Sequence, residues 1–275
     1  RQKAVNINTL SLLPCVSTSD ILLKNMFQDK VVLITGAASG IGKATAKAYA
    51  EKGATVVLSD ISTKAGEELV QQMKEEGAKA TFISCNVANS QEVQSLVAQA
   101  VATHGTIDIA VNNAGVGPDR ATRTHQHSLE DWDKVISVNQ SGVFYCMKYE
   151  LEQMLQQGHG NIINIASMAG LKALPNNVAY VASKHAVVGM TKTAALEYAR
   201  KNIRINAVCP VFTSSPMLDR LLSMREDMDQ RLLSTIPMGR FADAKEIVEA
   251  IQWLSSEASS FVNGVALPVD GGHSA

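Results

Sequence analysis

The sequence has almost no net charge, few cysteines and no long apolar run, and each of these absences excludes a class of protein. The formal charge is −1 over 275 residues, so the composition does not indicate a nucleic-acid or anionic-membrane partner. No apolar run reaches the roughly 18 residues that a membrane span needs. Four cysteines without paired spacing predict free thiols in a reducing, cytoplasmic setting rather than a disulfide framework.

Two short segments fit no functional pattern. Residues 1–25 have a basic start, a broken apolar patch and no clean cleavage site, so we expect an N-terminal extension or added leader outside the main domain. The alternative is a native arm that docks on a neighbouring subunit. His125 and His127 resemble a metal pair, but no third ligand stands nearby. A polar loop is therefore predicted there, with no metal site.

Short apolar runs alternate with longer helical patterns from residue 31 onward. Several runs are continuous Val/Ile/Leu stretches, which are typical of a parallel sheet covered on both faces. The alternation predicts one doubly wound, Rossmann-like α/β domain over 26–275, with a mainly parallel seven-stranded sheet and helices on both faces. Strands are predicted at 31–35, 55–59, 80–85, 107–113, 161–167, 203–210 and 265–271, and helices at 41–52, 64–76, 90–103, 129–157, 179–201, 217–233 and 243–256.

The first strand runs into a glycine-rich turn and then a helix, in the stretch TGAASGIGKATAKAYA. Gly36, Gly40 and Gly42 remove the Cβ atoms that would keep a pyrophosphate away from backbone N–H groups at a helix N-terminus. A tight strand–helix turn needs glycine in any case. The place of this turn in the first strand–helix unit is what predicts nucleotide binding.

The second strand ends in Asp60. A carboxylate at this place accepts hydrogen bonds from the ribose 2′-hydroxyl and repels a 2′-phosphate. The glycine turn contains no Lys or Arg, and Lys43 comes only after it. The sequence therefore favours NAD over NADP. The alternative reading of Asp60, compatible with the first, is a cap for the next helix.

Tyr180 and Lys184 lie one helical turn apart in the stretch AYVASKHA and would share a face. A free phenol has a pKa of about 10, too high for a base near neutrality, and a nearby ammonium lowers it. Ser167, at the end of the fifth predicted strand, is a second hydroxyl for the same site. Taken alone, the tyrosine and lysine are equally well read as an ordinary surface pair, and Ser167 as a turn residue.

In this order and spacing, TGAASGIG at 35–42, NNAG at 112–115, Asn139, Ser167 and YVASK at 180–184 resemble the short-chain dehydrogenase/reductase family, in its compact form. The likeness covers residues 29 to about 272. It implies that Tyr180 is the general acid/base and that Lys184 lowers its pKa and binds the nicotinamide ribose. It also implies that Ser167 positions the substrate oxygen and that Asn139 holds a relay water. The alternative for Asn139 is an amide that satisfies backbone at a helix kink.

The resemblance also implies contacts with the cofactor and assembly with other copies of the same chain. Asn113 would lie near the cofactor and Thr213 near the nicotinamide carboxamide. Members of the family are usually homotetramers and less often dimers. The full set of implied cofactor residues is Gly36, Ser39, Gly40, Ile41, Gly42, Asp60, Asn86, Val87, Asn113, Ala114, Gly115, Tyr180, Lys184, Pro210 and Thr213.

The chain departs from the family pattern at two places. Asn86 stands where an aspartate usually contacts the adenine amine, so we expect a weakened contact with binding retained. Val211 replaces the glycine that commonly follows Pro210, and its bulk is expected to narrow the substrate side.

Substrate specificity is predicted to come from three variable segments, 116–127, 167–177 and 211–224. No compact basic cluster lies in them, although Arg120, Arg123 and Lys172 could contribute, so a neutral secondary alcohol or ketone is expected. The alternatives are an NADPH-dependent 3-oxoacyl carrier-protein reductase, which shares the catalytic motifs, and a non-catalytic nucleotide sensor. The apolar pocket is predicted from Met168, Leu174, Val211, Phe212, Met217 and Leu218.

Overall fold

A computed structural model describes residues 25–223 and 226–275. Seven strands form one sheet in the order β3-β2-β1-β4-β5-β6-β7, and every pairing is parallel. The predicted doubly wound α/β fold is confirmed. The predicted extension lies outside the described residues, apart from Asn25, and so does Cys15. The strands are β1 Val31–Thr35, β2 Thr55–Asp60, β3 Lys79–Ser84, β4 Ile109–Asn112, β5 Gly160–Ile165, β6 Ile203–Pro210 and β7 Ala266–Val269.

Helices cover both faces of this sheet. Between α4 and α5, residues Ser137–Ser141 form a π-helical turn, so the predicted helix 129–157 is helical throughout but changes its hydrogen-bond pattern in the middle. Within the described residues, no helix is long and apolar enough to cross a membrane. The helices are α1 Gly40–Glu51, α2 Thr63–Glu75, α3 Ser90–His104, α4 Leu129–Ile136, α5 Gly142–Gln157, α6 Val178–Tyr198, α7 Pro216–Leu222, α8 Met228–Leu233 and α9 Ala244–Ser255.

Several predicted elements are wrong in extent. The predicted helix 217–233 is two helices, because α7 ends at Leu222 and α8 begins after its N-cap Asp227. Serine and aspartate compete with the backbone for hydrogen bonds, which favours helix ends in such a stretch. The predicted strands 107–113, 161–167 and 265–271 are shorter, since β4 ends at Asn112, β5 at Ile165 and β7 at Val269.

The strands are buried on both faces, as continuous apolar runs predict. In β1, Val31 and Leu33 belong to the core under α3, α5 and α6, whereas Val32 and Ile34 belong to the core under α1, α2 and α9. Successive strand side chains point to opposite faces, so a single strand serves both cores. Because helices cover both faces of the sheet, a ligand can reach the strands at their carboxyl ends.

The topology creates a crevice at that edge. Strands β2 and β3 lie on one side of β1, and β4 to β7 lie on the other. The chain therefore leaves β1 in one direction and returns on its other side at β4. Ligands of open α/β sheets bind beyond the carboxyl ends of the strands at such a switch point. The predicted site residues follow these strand ends.

Candidate active site

The glycine turn after β1 is packed so closely that side chains cannot enter it. A Cβ at Gly42 would lie 2.1 Å from the Gly36 carbonyl oxygen and 2.6 Å from Asn113 Nδ2. A Cβ at Gly36, whose φ is 63°, would lie 2.8 Å from Ala114 Cα. The turn is therefore held against the end of β4, and both glycines are required by close approach and not only by flexibility.

The same turn leaves the Ser39 hydroxyl and the first N–H groups of α1 without partners inside the helix. Ser39 is the N-cap of α1, is exposed, and makes no side-chain cap bond. Gly40 and Ile41 open the helix, and the N–H groups of a first helical turn have no partner within their own helix. Together with the helix dipole, these donors fit a pyrophosphate. The segment after β6 lies close to the glycine turn, since a Cβ at Gly40 would lie 3.4 Å from Ser215 Cβ.

Asp60 ends β2 and is bonded to the glycine turn. Its Oδ2 accepts a hydrogen bond from the Ala38 N–H at 3.0 Å, and its Oδ1 accepts one from the Ser62 N–H at 2.9 Å. The N-cap of α2 is Ser62, so Asp60 is not the helix cap that the alternative reading required. Each carboxylate oxygen keeps a further lone pair, and both can accept from a ribose hydroxyl.

The residues after β3 have a partly structural role. The Asn86 Oδ1 accepts a hydrogen bond from the Ala88 N–H at 3.1 Å, and the Asn86 N–H donates to Glu92. The amide oxygen retains one lone pair for an adenine amine. The buried side chain of Val87 packs towards Gly142 of α5, where an added Cβ would lie 2.9 Å from its Cγ2.

The stretch 112–115 joins β4 to the glycine turn. Asn113 Nδ2 donates to the carbonyls of Thr35 and Gly36, both at 3.0 Å. The Asn113 and Ala114 N–H groups donate to Thr35 Oγ1 at 3.1 and 3.2 Å. Asn113 thus braces the turn from behind. Gly115 lies closer to the catalytic candidates, since a Cβ there would be 3.5 Å from Lys184 Nζ.

Ser167, Tyr180 and Lys184 converge beyond β5, although they come from a short turn and from α6. Ser167 follows β5 and caps a 3₁₀ turn, accepting a hydrogen bond from the Ala169 N–H at 3.1 Å. Lys184 is almost fully buried, and its Nζ donates to the Ile165 carbonyl at 2.8 Å. The same Nζ lies 5.7 Å from the centre of the Tyr180 ring. The two residues are therefore not a solvated surface pair.

The electrostatics of this group differ from the sequence expectation. Burial raises the pKa of the Tyr180 phenol, although its hydrogen bond with Ser167 lowers it in part. Burial also lowers the pKa of Lys184 to about 8, against a smaller opposing effect of Cys209. The predicted depression of the tyrosine pKa is thus wrong for this geometry. Lys184 Nζ is directed at a carbonyl, and low-dielectric surroundings disfavour both charged forms.

Asn139 lies in the π-helical turn and is fully buried. Its Oδ1 accepts from the Val116 N–H and its Nδ2 donates to the Val116 carbonyl, both at 2.8 Å. Nδ2 also lies 3.3 Å from Ser183 Oγ. Asn139 thus lies at a helix irregularity, as the alternative reading required, but the backbone that its amide satisfies is that of Val116, after β4. One lone pair of Oδ1 remains for a water molecule.

The segment after β6 forms one wall of the site. Val211 is buried and packs with Met168, and Tyr180 lies against the same cluster. Thr213 is buried and its hydroxyl donates to the Val211 carbonyl at 2.9 Å. Of the other predicted pocket residues, Leu174 and Phe212 join the cluster, while Met217 is largely exposed. Pro210 closes β6 opposite Val269, and Leu218 is buried in α7.

The remaining candidates of the sequence analysis lie outside this arrangement. Arg120 and Arg123 are exposed, and Lys172 donates a hydrogen bond to a backbone carbonyl. His125 is exposed, whereas His127 lies 3.6 Å from the Asp131 carboxylate. Across residues 25–223 and 226–275, no group of three or more His, Cys, Asp or Glu side chains is placed to hold a metal ion.

A buried polar cluster beneath the site was missed by the sequence analysis. Glu150 of α5 accepts a hydrogen bond from Asn112 Nδ2 at 2.9 Å, and Asn112 Nδ2 also contacts Asn164 Oδ1 at 3.0 Å. Asn164 Nδ2 in turn donates to Thr191 Oγ1 at 2.9 Å. The available signal was the position of Glu150 among the buried apolar residues of α5, one turn from Cys146.

Comparison with known proteins agrees with this geometry. A family model described as "Enoyl-(Acyl carrier protein) reductase" matches residues 36–274. A cyclohexanol dehydrogenase from an Acinetobacter species is 40% identical over 92% of this chain and 98% of its own length. A 3-oxoacyl-[acyl-carrier-protein] reductase from Thermotoga maritima is 41% identical over 89% and 98%. Among solved structures, an NAD+-bound xylitol dehydrogenase superposes with a TM-score of 0.85, 35% identity and coverage of 89% and 99%.

Proposed function

The chain belongs to the short-chain dehydrogenase/reductase family, and on that premise we propose that it transfers a hydride between NAD(H) and a secondary alcohol or ketone. That it is an oxidoreductase with a nucleotide cofactor follows from the family. The substrate, the choice of NAD and the role of Tyr180 are the proposal. The single observation that carries it is the convergence of Ser167, Tyr180 and Lys184 beyond β5, beside the open end of the glycine turn.

The site fits a dinucleotide. The turn excludes side chains at Gly36 and Gly42, Ser39 offers an uncommitted hydroxyl, and Asp60 offers acceptor lone pairs at the end of β2. We propose that the pyrophosphate lies over the glycine turn and the adenosine ribose against Asp60. When bound, the nicotinamide supplies the acceptor or donor of the hydride.

The proton is handled by the chain itself. In alcohol oxidation, Tyr180 Oη takes the hydroxyl proton as the C–H bond gives up its hydride, and in ketone reduction it returns a proton to the oxygen. Ser167 donates a hydrogen bond to the same oxygen and holds it in place. Protonated Lys184, whose pKa is lowered to about 8, resupplies the proton to the phenolate that ketone reduction leaves, and it does so through water because its Nζ is bonded to the Ile165 carbonyl. Asn139 keeps one lone pair for a relay water.

Because burial raises the pKa of Tyr180, the phenol is protonated at neutral pH and is ready to act as an acid. Reduction is therefore favoured near neutrality. Oxidation requires the phenolate, so its rate should rise as the pH increases above neutrality. This asymmetry is an expectation of the proposal and can be measured in both directions with the same substrate pair.

The apolar wall supports a neutral substrate. Met168, Val211 and Phe212 pack in the same apolar cluster as Tyr180, and Lys184, whose Nζ lies 5.7 Å from the centre of the Tyr180 ring, is bonded to the Ile165 carbonyl. The relatives include a cyclohexanol dehydrogenase and a 2,5-dichloro-2,5-cyclohexadiene-1,4-diol dehydrogenase, which act on ring alcohols by their names. We therefore propose a cyclic secondary alcohol.

A second candidate is an NADPH-dependent 3-oxoacyl carrier-protein reductase. The similarity to the Thermotoga maritima reductase favours it, and its catalytic residues would be the same. Asp60 opposes it, because a carboxylate at the end of β2 repels a 2′-phosphate. We also propose a homotetramer. Exposed apolar side chains on α5 and α6, among them Phe144, Leu155 and Leu196, support contacts between copies.

The test is a screen of cyclic secondary alcohols with NAD+, followed by the absorbance of the reduced nicotinamide. Tyr180→Phe should bind NADH as the wild type does and lose turnover by about a hundredfold or more, the usual contribution of a positioned acid/base. Glu197→Gln, at an exposed position on the same helix, is the control for the helix itself. A phenylalanine variant with most of its turnover would remove Tyr180 from the proton transfer.

A further inference from the structure

Residues 270–274, after β7, form a turn that is closed by its own hydrogen bonds. The buried carboxylate of Asp270 accepts hydrogen bonds from the Gly272 N–H at 3.1 Å and from the Ser274 N–H at 2.9 Å. The His273 N–H donates to the Asp270 carbonyl at 3.1 Å. His273 is therefore presented from a turn whose shape is fixed by its own hydrogen bonds.

His273 contacts three separate segments of the chain. Its carbonyl accepts a hydrogen bond from Lys172 Nζ at 3.0 Å, in the segment after β5. Its Nδ1 lies 2.8 Å from the Thr235 carbonyl after α8, so Nδ1 carries the hydrogen and donates. Its ring meets the ring of Phe212 edge-on, with centroids 6.4 Å apart and planes at 85°.

These three partners belong to the segments that border the cluster around Tyr180. Phe212 packs on the same apolar cluster as Tyr180. Lys172 lies between Ser167 and Leu174, in the segment that carries the serine. Thr235 is followed by Ile236, a buried member of that cluster. His273 thus connects the segment after β5, through its backbone carbonyl, to the segments after β6 and α8, through its ring.

We propose that His273 is a positioning residue that fixes the width of the apolar cleft and so sets the size of alcohol or ketone that reaches Tyr180. This inference rests on the proposed function. Backbone hydrogen bonds join Phe212 and Ser214 to Ala242, and the imidazole adds a second link, from Phe212 to the Thr235 carbonyl. This second link holds the segments after β6 and α8 at one separation.

The backbone of the turn has its own anchors, so a change of side chain tests the imidazole alone. The Gly271 carbonyl accepts a hydrogen bond from the Met238 N–H at 3.2 Å, and a Cβ at Gly271 would lie 3.0 Å from Ile236 Cγ2. These contacts remain in His273→Ala. The Lys172 bond also remains, because a backbone carbonyl accepts it.

The experiment compares His273→Ala with His273→Asn, whose amide can still donate to the Thr235 carbonyl. We measure kcat and KM for a monocyclic and a bicyclic secondary alcohol with saturating NAD+. In the alanine variant, the ratio of kcat/KM values should shift towards the larger alcohol by about fivefold, the factor that one ordinary hydrogen bond represents. The Kd for NADH should be unchanged, and the asparagine variant should recover most of the selectivity.

His104→Ala is the matched control, because it removes an imidazole with one side-chain contact, to Thr81, near the opposite edge of the sheet. If the ratio of kcat/KM values in His273→Ala equals the ratio in His104→Ala, the proposal is overturned. Hydrogen exchange of the segments 211–223 and 228–236 gives a readout that needs no substrate. Exchange in both should be faster in His273→Ala, whereas 167–177 should be unchanged because the Lys172 bond remains. Unchanged exchange in 211–223 and 228–236 would also overturn the proposal. If the wild type oxidises no alcohol, the proposed function fails and the exchange result decides the role of His273.

Discussion

Glu150 offers the most direct test of how the core is built. Its carboxyl group is buried in α5 and has Asn112 Nδ2 as its hydrogen-bond donor at 2.9 Å. Cys146, one turn earlier on the same helix, is buried beside it, and its own thiol has a raised pKa. Burial raises the pKa of Glu150 from 4.5 to about 7, and the bond from Asn112 lowers it only in part. Substitution by glutamine keeps the shape and the acceptor and removes the titration.

The direction in which stability changes with pH follows from the number of protons that the folded and unfolded states bind. Below about pH 4.5 the carboxyl is protonated in both states, so its contribution is at its most favourable. Between 4.5 and about 7 the unfolded chain releases the proton and the folded protein keeps it, so stability falls as the pH rises. The rise of the pKa from 4.5 to about 7 corresponds to about 3 kcal/mol of folding free energy lost by alkaline pH.

The assay is urea unfolding of wild type and Glu150→Gln at a fixed protein concentration, over a series from about pH 5 to about pH 8.5. The free energy of unfolding of the variant should rise relative to that of the wild type by about 1.4 kcal/mol per pH unit up to neutrality. Above neutrality this difference should stay constant. Glu249→Gln is the control, because its side chain is 63% exposed and pairs only with Lys245. A difference that does not change with pH would refute the reasoning.

Two further changes test the nucleotide side of the site. Gly42→Ala should abolish NADH binding, because the new methyl group would lie 2.1 Å from the Gly36 carbonyl, while Gly189→Ala, which meets nothing within 4 Å, should bind normally in calorimetry. Asp60→Asn should reduce the preference for NADH over NADPH by about tenfold or more, measured as a ratio of Kd values. Asp133→Asn, an exposed change on α4, should leave that ratio as in the wild type, and an unchanged ratio in Asp60→Asn would remove the carboxylate from discrimination.

Periodicity and local chemistry predicted most of the fold. The continuous apolar runs of β1 and β2 could be recognised because strands buried on both faces need no alternation. Helical spacing placed Tyr180 and Lys184 on one face, and the ordered motifs around them, which resemble the family, predicted their catalytic role. Ser167 was predicted as a strand-end residue, but β5 ends at Ile165 and the serine caps a short 3₁₀ turn. Strand ends depend on which neighbour still offers a ladder bond, and a single sequence does not contain that information.

The rest required the three-dimensional surroundings. The raised pKa of Tyr180 depends on burial, and burial depends on segments far apart in the chain. The role of Asn113 as a brace for the glycine turn depends on β4 lying beside β1. Glu150 reads as an ordinary polar position in a helix until Asn112 is placed opposite it. In each case the missing information is a contact between residues that are distant in sequence.

The bond between Asp60 and the Ala38 N–H has a consequence for how this chain could change its cofactor. One carboxylate both faces the ribose position and holds the backbone of the glycine turn. A substitution that admits a 2′-phosphate by deleting the carboxylate would also leave a backbone donor of the turn without its partner. A route to NADP therefore has to remove the charge and keep an acceptor for the Ala38 N–H, which the amide oxygen of Asp60→Asn can supply. A change at residue 60 that leaves no acceptor, such as Asp60→Ala, should give a weak binder of both nucleotides.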